Sequence, residues 1–161
     1  MPLFVRSQHH RHRTWSYNEI SRRYTEENLK FYEPKEFRTQ AENNRQASNE
    51  NELIDPLVWF SEDDGTISKL SASTAMKLHH KKCIDFYDLL LDEGVCREQA
   101  RGVLPQNLYT EYYGTVNLSN LMKFIKLRDH EGAQWEIIKV ARACKTIAKE
   151  LWPVTFDAFE L

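Results

Sequence analysis

The chain has 161 residues, of which 41% are hydrophobic, and a formal charge of −2. That size suits one globular domain, and the near-neutral charge argues against general nucleic-acid binding, which carries a basic footprint. No apolar run approaches the ~18 residues of a membrane span, and three cysteines (Cys83, Cys96 and Cys144) without a Cys-x-x-Cys suggest neither a disulfide framework nor a zinc knuckle.

In chain order, Leu3-Phe4-Val5 predicts a short strand, too brief before polar residues to be a secretory signal. Asn18 to Tyr24 predicts one or two helical turns capped by Ser16 or Asn18. Residues 33–69 are polar and acidic and predict a long excursion with one short helix and a turn at Asp64-Gly65. A helix opens at Ser71 or Ser73, runs to about Glu93 and stops at Gly94; Met76, Cys83, Phe86 and Leu90 form its apolar stripe. A short helix follows from Cys96 to Val103, ending before Pro105, and then a strand from Leu108 to Val116. Leu118 to Arg128 predicts a helix with Leu121, Phe124, Ile125 and Arg128 on one side. Residues 133–152 make the strongest helix, with Ile137, Val140, Cys144, Ile147 and Leu151 as its buried face and Pro153 beyond its end. Helices with a few strands and no β-α-β alternation predict an α+β fold over one domain, residues 1–161. Cys83 and Cys144 fall on apolar helix faces, which leaves Cys96 as the one thiol placed to react.

Charge is unevenly placed. Residues 1–32 carry six Lys/Arg against three Asp/Glu, and residues 97–128 five against two, whereas residues 33–69 carry nine acids against four bases. Two positive segments that fold together make a local anion site on a neutral protein. The densest chemistry lies between Gln8 and Tyr24, where four arginines, three histidines, Glu19 and two serines share 17 residues. Guanidinium forks suit bidentate recognition of phosphate and of base edges, and one carboxylate among them selects a hydroxyl or a ring N–H. The segment therefore reads as a pocket for a phosphorylated, nucleotide-like ligand. A solvated basic face, or a metal site on His9, His10 and His12, is the competing reading. A second group comprises Arg101-Gly102-Val103-Leu104-Pro105, Tyr109-Thr110, Asn117 and Arg128. Arg128 is either paired with Asp129 or Glu131 at a helix end, where a cation is favoured, or held for a ligand. No Gly-x-Gly-x-x-Gly loop is present.

Together these residues resemble the flavin-dependent thymidylate synthases (ThyX). That family's signature is Arg-His-Arg, then seven residues, then Ser, and it stands here as Gln8-His9-His10-Arg11-His12-Arg13 through Asn18-Glu19-Ile20-Ser21-Arg22-Arg23-Tyr24. Arg101 to Thr110, Asn117, Leu127-Arg128 and Ala133-Gln134-Trp135-Glu136-Ile137 extend the likeness over nearly the whole chain. The resemblance implies helices packed on a small, mainly antiparallel sheet. It implies that FAD, reduced by NADPH, serves the transfer of a one-carbon unit from methylenetetrahydrofolate to C5 of dUMP, giving dTMP. It further implies a cytoplasmic homotetramer (host-cytoplasmic for a viral chain) that uses neither membrane nor nucleic acid. By the same resemblance, Arg11, His12, Arg13, Glu19, Asn117 and Lys123 contact FAD. Gln8, Arg11, Glu19, Ile20, Ser21, Arg22, Arg23, Arg101 and Arg128 hold dUMP, with Arg128 the catalytic group at the uracil edge. No metal is implied.

Departures from the pattern are equally specific. The family carries a further segment before the point matching Met1, so the chain is expected to be an N-terminally truncated form. Ser119 stands where many relatives have an arginine, and Lys123, one turn on, replaces the lost cation. The alternative is a non-catalytic or split-subunit nucleotide-binding member of the family that works with a separate N-terminal chain.

Overall fold

The computed structural model describes residues 1–21, 29–45, 47–61 and 65–159. Its elements are α1 (Leu3–His9), β1 (Ser16–Glu19), β2 (Phe37–Gln40), β3 (Ser48–Ile54), β4 (Leu57–Ser61), β5 (Ile67–Ser71), α2 (Ala72–Asp92), α3 (Arg97–Ala100) with a 3-10 turn at Arg101–Val103, β6 (Tyr112–Thr115), α4 (Leu118–Arg128), α5 (Trp135–Leu151) and α6 (Pro153–Ala158). The fold is α+β. Its strands form three two-stranded pairs, β1–β6, β2–β3 and β4–β5, rather than one sheet among the described residues. The chain divides into two compact units. Unit 1 comprises residues 1–4, 19–38 and 51–111; unit 2 comprises residues 5–18, 39–50 and 112–161.

Unit 1 is organised by α2. Ser71 caps it, the hydroxyl accepting from the Thr74 amide at 3.3 Å. Asp55 adds a carboxylate at the same end, accepting from the Ser73 amide at 2.8 Å and its hydroxyl at 2.6 Å. A carboxylate beside free helix N–H groups is favoured, and these bonds hold the Asp55 acid below the usual carboxylate range. Gly94, with φ +83°, supplies the left-handed turn after the helix. The β4–β5 hairpin is antiparallel, pairing Trp59 with Lys69 and Ser61 with Ile67 around the turn that contains Gly65. Among its described residues, the acidic excursion therefore contains strands and not a short helix. The apolar run at Leu57–Phe60 and the alternation at Ile67–Leu70, joined through an Asp-Gly, suit a hairpin. The buried face of α2 is Ala75, His80 and Tyr87, while Phe86 is exposed. His80 is buried because both ring nitrogens are satisfied: Nδ1 lies 2.8 Å from Glu33 Oε1 and Nε2 lies 2.6 Å from Asn107 Nδ2.

Leu3-Phe4-Val5 is helical, not a strand. Pro2 has no N–H to give a sheet ladder and fits just before a helix start. The free amides of Leu3 and Phe4 are taken by the carbonyls of Leu108 and Gln106 at 2.9 and 3.0 Å. Extended pairing is confined to the bridge between Pro2 and Tyr109. The strand expected over Leu108–Val116 begins only at Tyr112, with Leu108 bridged singly to Phe31. Asn18 and Glu19 lie in β1 rather than in a helical turn, and residues 22–24 of that expectation lie outside the described residues.

In unit 2, α4 and α5 supply the core: Phe124, Ile125, Ile137 and Ala141 are fully enclosed, as is Phe156 of α6. Asp129, at the end of α4, accepts from Arg142 Nε at 2.8 Å and lies 3.4 Å from Lys145 Nζ, both on α5. The buried face of α5 is Ile137, Ile138, Ala141 and Ala148, and the expected Ile147 and Leu151 are each 62% exposed. The helix has more apolar side chains than one face holds, and its small alanines take the interior positions. Pro153 follows the end of α5 and opens α6.

Candidate functional site

The Arg-His-Arg segment is the turn between α1 and β1 in unit 2. Val5 and His9, one helical turn apart, are the buried side chains of α1. His9 Nδ1 meets the Tyr112 hydroxyl at 2.6 Å, and its ring packs edge-on against Trp15 at 4.4 Å and against Phe124 at 4.8 Å. Burial first, then the charges of His12, His10 and Arg128, push the His9 imidazole down to about 4, so it is neutral at pH 7. His10 stacks on Tyr17 at 4.1 Å. The Tyr17 hydroxyl then donates to two carbonyls of the turn, His9 at 2.8 Å and His12 at 3.2 Å. Backbone bonds from the His12 amide to the His9 carbonyl and from the Trp15 amide to the His12 carbonyl complete it. The side chains of Arg11 and Arg13 are exposed on this fixed turn, and His12 is half-buried, edge-on to Phe124 at 4.9 Å.

Arg128, the last residue of α4, donates from Nε to His12 Nε2 at 3.1 Å. Its neighbour Asp129 is engaged by Arg142 and Lys145 instead, so pairing of Arg128 with Asp129 does not occur. Burial and, second, the charge of Arg11 lower the Arg128 pKa. The half-buried Arg128 guanidinium thus feels a second cation, the exposed Arg11, a field that a negative ligand relieves. Gln8 joins the same unit through an Nε2 hydrogen bond to Gln134 Oε1, and Gln134 Nε2 donates to Glu136 at 2.9 Å. Asn117 is the N-cap of α4, its side-chain oxygen accepting from the Asn120 amide at 2.9 Å, and Lys123 is exposed on that helix, as is Ser119 one turn earlier.

Unit 1 carries the other expected residues. Glu19 Oε1 accepts from the Thr110 hydroxyl at 2.7 Å, and Thr110 is itself buried. The Ile20 amide donates to the Glu111 carbonyl at 3.0 Å, Ile20 is exposed, and Ser21 is half-buried. Arg101 is exposed in the 3-10 turn, with Nε 3.3 Å from the Glu98 carbonyl. Arg22 and Arg23 lie outside the described residues. Gln8, the Arg11–Arg13 turn and Arg128 therefore lie in one unit, where His12 and Arg128 are in contact, and Glu19, Ile20, Ser21 and Arg101 lie in the other.

Residues that sequence reasoning missed are the supports Tyr17, Trp15 and Tyr112, whereas Thr110, which it had grouped with Arg101 and Arg128, serves as the support of Glu19. The density of aromatic rings beside the histidines was their only signal. Burial raises the thiol pKa of Cys83 and Cys144, so neither is a ready thiolate, and Cys96 is exposed with Sγ 3.7 Å from Gln99 Oε1. No helix among the described residues is long and apolar enough to cross a membrane.

Residues 1–154 match the family model described as thymidylate synthase complementing protein (Thy1). A flavin-dependent thymidylate synthase of Thermus thermophilus is 45% identical over 159 residues, which are 99% of this chain and 53% of that protein. The protein of the same name from Aquifex aeolicus is 43% identical over 89% of this chain and 42% of its own length. That from Thermosipho africanus is 39% identical over 98% and 64%. The chain thus spans between about two fifths and two thirds of the length of these relatives. With the match running over all but the last few residues, the chain belongs to the thymidylate synthase complementing protein family.

Proposed function

We propose that the chain acts in flavin-dependent thymidylate synthesis: dUMP is methylated at C5 to dTMP, with methylenetetrahydrofolate as one-carbon donor, FAD as cofactor and NADPH as reductant. One observation carries this reading. Half-buried Arg128 feels the positive charge of the exposed Arg11, and its Nε–H is accepted by the His12 imidazole at 3.1 Å rather than by a carboxylate. An always-charged guanidinium there favours negative charge at N3 of a uracil ring, which polarises C5. Gln8 and Arg11 belong to the same nucleotide set, and so, in unit 1, do Glu19, Ile20, Ser21 and Arg101. Arg22 and Arg23 are its remaining members. The Glu19 carboxylate, held by Thr110, is placed to accept from a ligand hydroxyl or N–H. In a homotetramer different copies can supply the two parts.

The donor set also suits a flavin dinucleotide. Arg11 and Arg13 offer exposed cations for a diphosphate, and His12 stands between them. Trp15, Tyr17 and Phe124 make a rigid aromatic wall behind the turn, within which Trp15 Nε1 and His9 Nε2 are enclosed without a hydrogen-bond partner among the described residues. Glu19, Asn117 and Lys123 complete the flavin set. When bound, the flavin supplies the reducing equivalents of the reaction; the residues here bind and orient.

The test is the visible spectrum and turnover of the purified protein. A flavin band near ~450 nm, the cofactor's own signature, together with dTMP formation that Arg128→Ala abolishes without loss of fold, supports the proposal. Full turnover by Arg128→Ala refutes it. A second reading, a non-catalytic nucleotide-binding member of the family, is favoured by Ser119, which stands exposed on α4 where the resemblance implies an arginine. It is the result if the protein is colourless yet binds dUMP.

A further inference from the structure

Arg128 has an unusual partner for an arginine at the end of a helix. Its Nε–H is a donor and a guanidinium has no acceptor, so the His12 Nε2 that it meets at 3.1 Å holds a lone pair. The His12 proton is therefore on Nδ1, and the ring is neutral. A protonated imidazole would set a donor against a donor. Burial and the charge of Arg128 both lower the His12 pKa, in keeping with that state. The ring meets Phe124 edge-on at 4.9 Å, and the Tyr17 hydroxyl holds the backbone beneath it at the His12 carbonyl. The carboxylate nearest in sequence, Asp129, is drawn away by two cations of α5.

We propose that His12 is the positioning residue of Arg128: it accepts the Nε–H and aims the guanidinium without neutralising it. A carboxylate in the same place would orient the arginine equally well but cancel the charge that a ligand needs. An imidazole leaves that charge whole. The His12 Nδ1–H has no acceptor among the described residues and is not enclosed, so it remains to donate to a second ligand group. Such a bond would lock the tautomer that Arg128 requires, so that occupancy on one side of His12 tightens binding on the other. By linkage the effect is reciprocal.

The inference rests on the reading of Arg128 as a dUMP-binding group, and its test keeps the two apart. His12→Gln returns an acceptor oxygen at about the depth of Nε2; His12→Phe keeps a ring and removes the acceptor. dUMP affinity is measured by calorimetry and flavin content by absorbance. His12→Phe is expected to weaken dUMP binding about tenfold or more, the scale of one hydrogen bond to a charged group, while His12→Gln stays within about threefold of the parent. In an Arg128→Ala background the two His12 variants should be alike, because the effect runs through Arg128. Equal dUMP binding by parent and His12→Phe, or equal weakening in both His12 variants, overturns the inference. If Arg128→Ala alone binds dUMP like the parent, the nucleotide reading of Arg128 fails first and the inference falls with it. Where His12→Phe does not fold, the imidazole 15N spectrum of the parent decides. A resonance assigned through its loss in His12→Gln shows the Nδ1–H tautomer at pH 7 if the inference holds; the Nε2–H tautomer or imidazolium overturns it.

Discussion

One hydroxyl closes the turn that carries Arg11, His12 and Arg13. Tyr17 reaches back from β1 to two carbonyls, and its ring stacks on His10, so Tyr17→Phe keeps the stack and deletes only the donor. The expected cost is about 1 kcal/mol of stability, the net worth of such a bond, with flavin affinity falling several-fold because two guanidiniums lose a fixed base. Denaturant melts and flavin titration measure both, and a variant equal to the parent in each refutes the role. His9 has its own signature. Its folded pKa, about 4, lies below the ordinary 6.5, so the unfolded chain binds more protons between those values. Stability is then complete above pH 6.5 and falls as pH drops towards 4, by up to roughly 3 kcal/mol from this one group. Asp129, whose acid is lowered first by the hydrogen bond from Arg142, loses its contribution only below the ordinary carboxylate range. Melts at pH 7, 5.5 and 4.5 should show the first loss, and His9→Gln should flatten it; an unchanged slope in His9→Gln assigns the loss elsewhere. None of this was legible from the order of residues. Tyr17 lies within the span of the signature and His9 just before it, but they act through a carbonyl and a buried ring, contacts that exist only once the turn has closed.

At the scale of elements, the signals that sequence carries well are those with local causes. Leu118–Arg128 was expected to the residue, because Asn117 is a capping residue and Asp129 follows the last turn. Gly94 and Ser71 bounded α2 for similar reasons. Errors arose where a competing partner decided. Leu3–Val5 looked like a strand until the carbonyls of Leu108 and Gln106 capped it as a helix. On α5 the hydropathy of Ile147 and Leu151 outweighed that of Ala141 and Ala148, yet the alanines are the buried ones. The α2 cap offers a direct measurement. Ser71 accepts one amide at a long 3.3 Å while Asp55 takes the next two donors, so the end has two acceptors. Ser71→Ala is therefore expected to cost only about 0.5 kcal/mol, at the low end for an N-cap, because Asp55 remains. Asp55→Ala should cost more, and the double variant should exceed the sum of the two. Strict additivity would show that the two acceptors do not back each other up.

The whole molecule leaves much apolar surface uncovered for a chain with so small a net charge. On α5 and α6 of unit 2 and at their ends, Ile147, Leu151, Trp152, Val154 and Phe159 are all well exposed, and on α2 of unit 1 so are Phe86 and Leu89. Large exposed apolar side chains gathered on few elements are the usual mark of a partner surface. The weak charge, −2 over 161 residues, would not keep such faces apart. A homotetramer, as the family resemblance implies, would supply a cover and would let residues from different copies meet on one ligand. Light scattering at micromolar concentration should then return about four times the chain mass of 19.1 kDa. Leu151→Glu, placed on the exposed side of α5 and outside both ligand sets, should lower that assembly while leaving helix content unchanged, since no core contact is lost. Flavin and dUMP affinity falling in step with the loss of assembly would tie the sites to it. A parent protein that is monomeric and binds both ligands fully would show that one copy suffices, and the exposed faces would then need another cover.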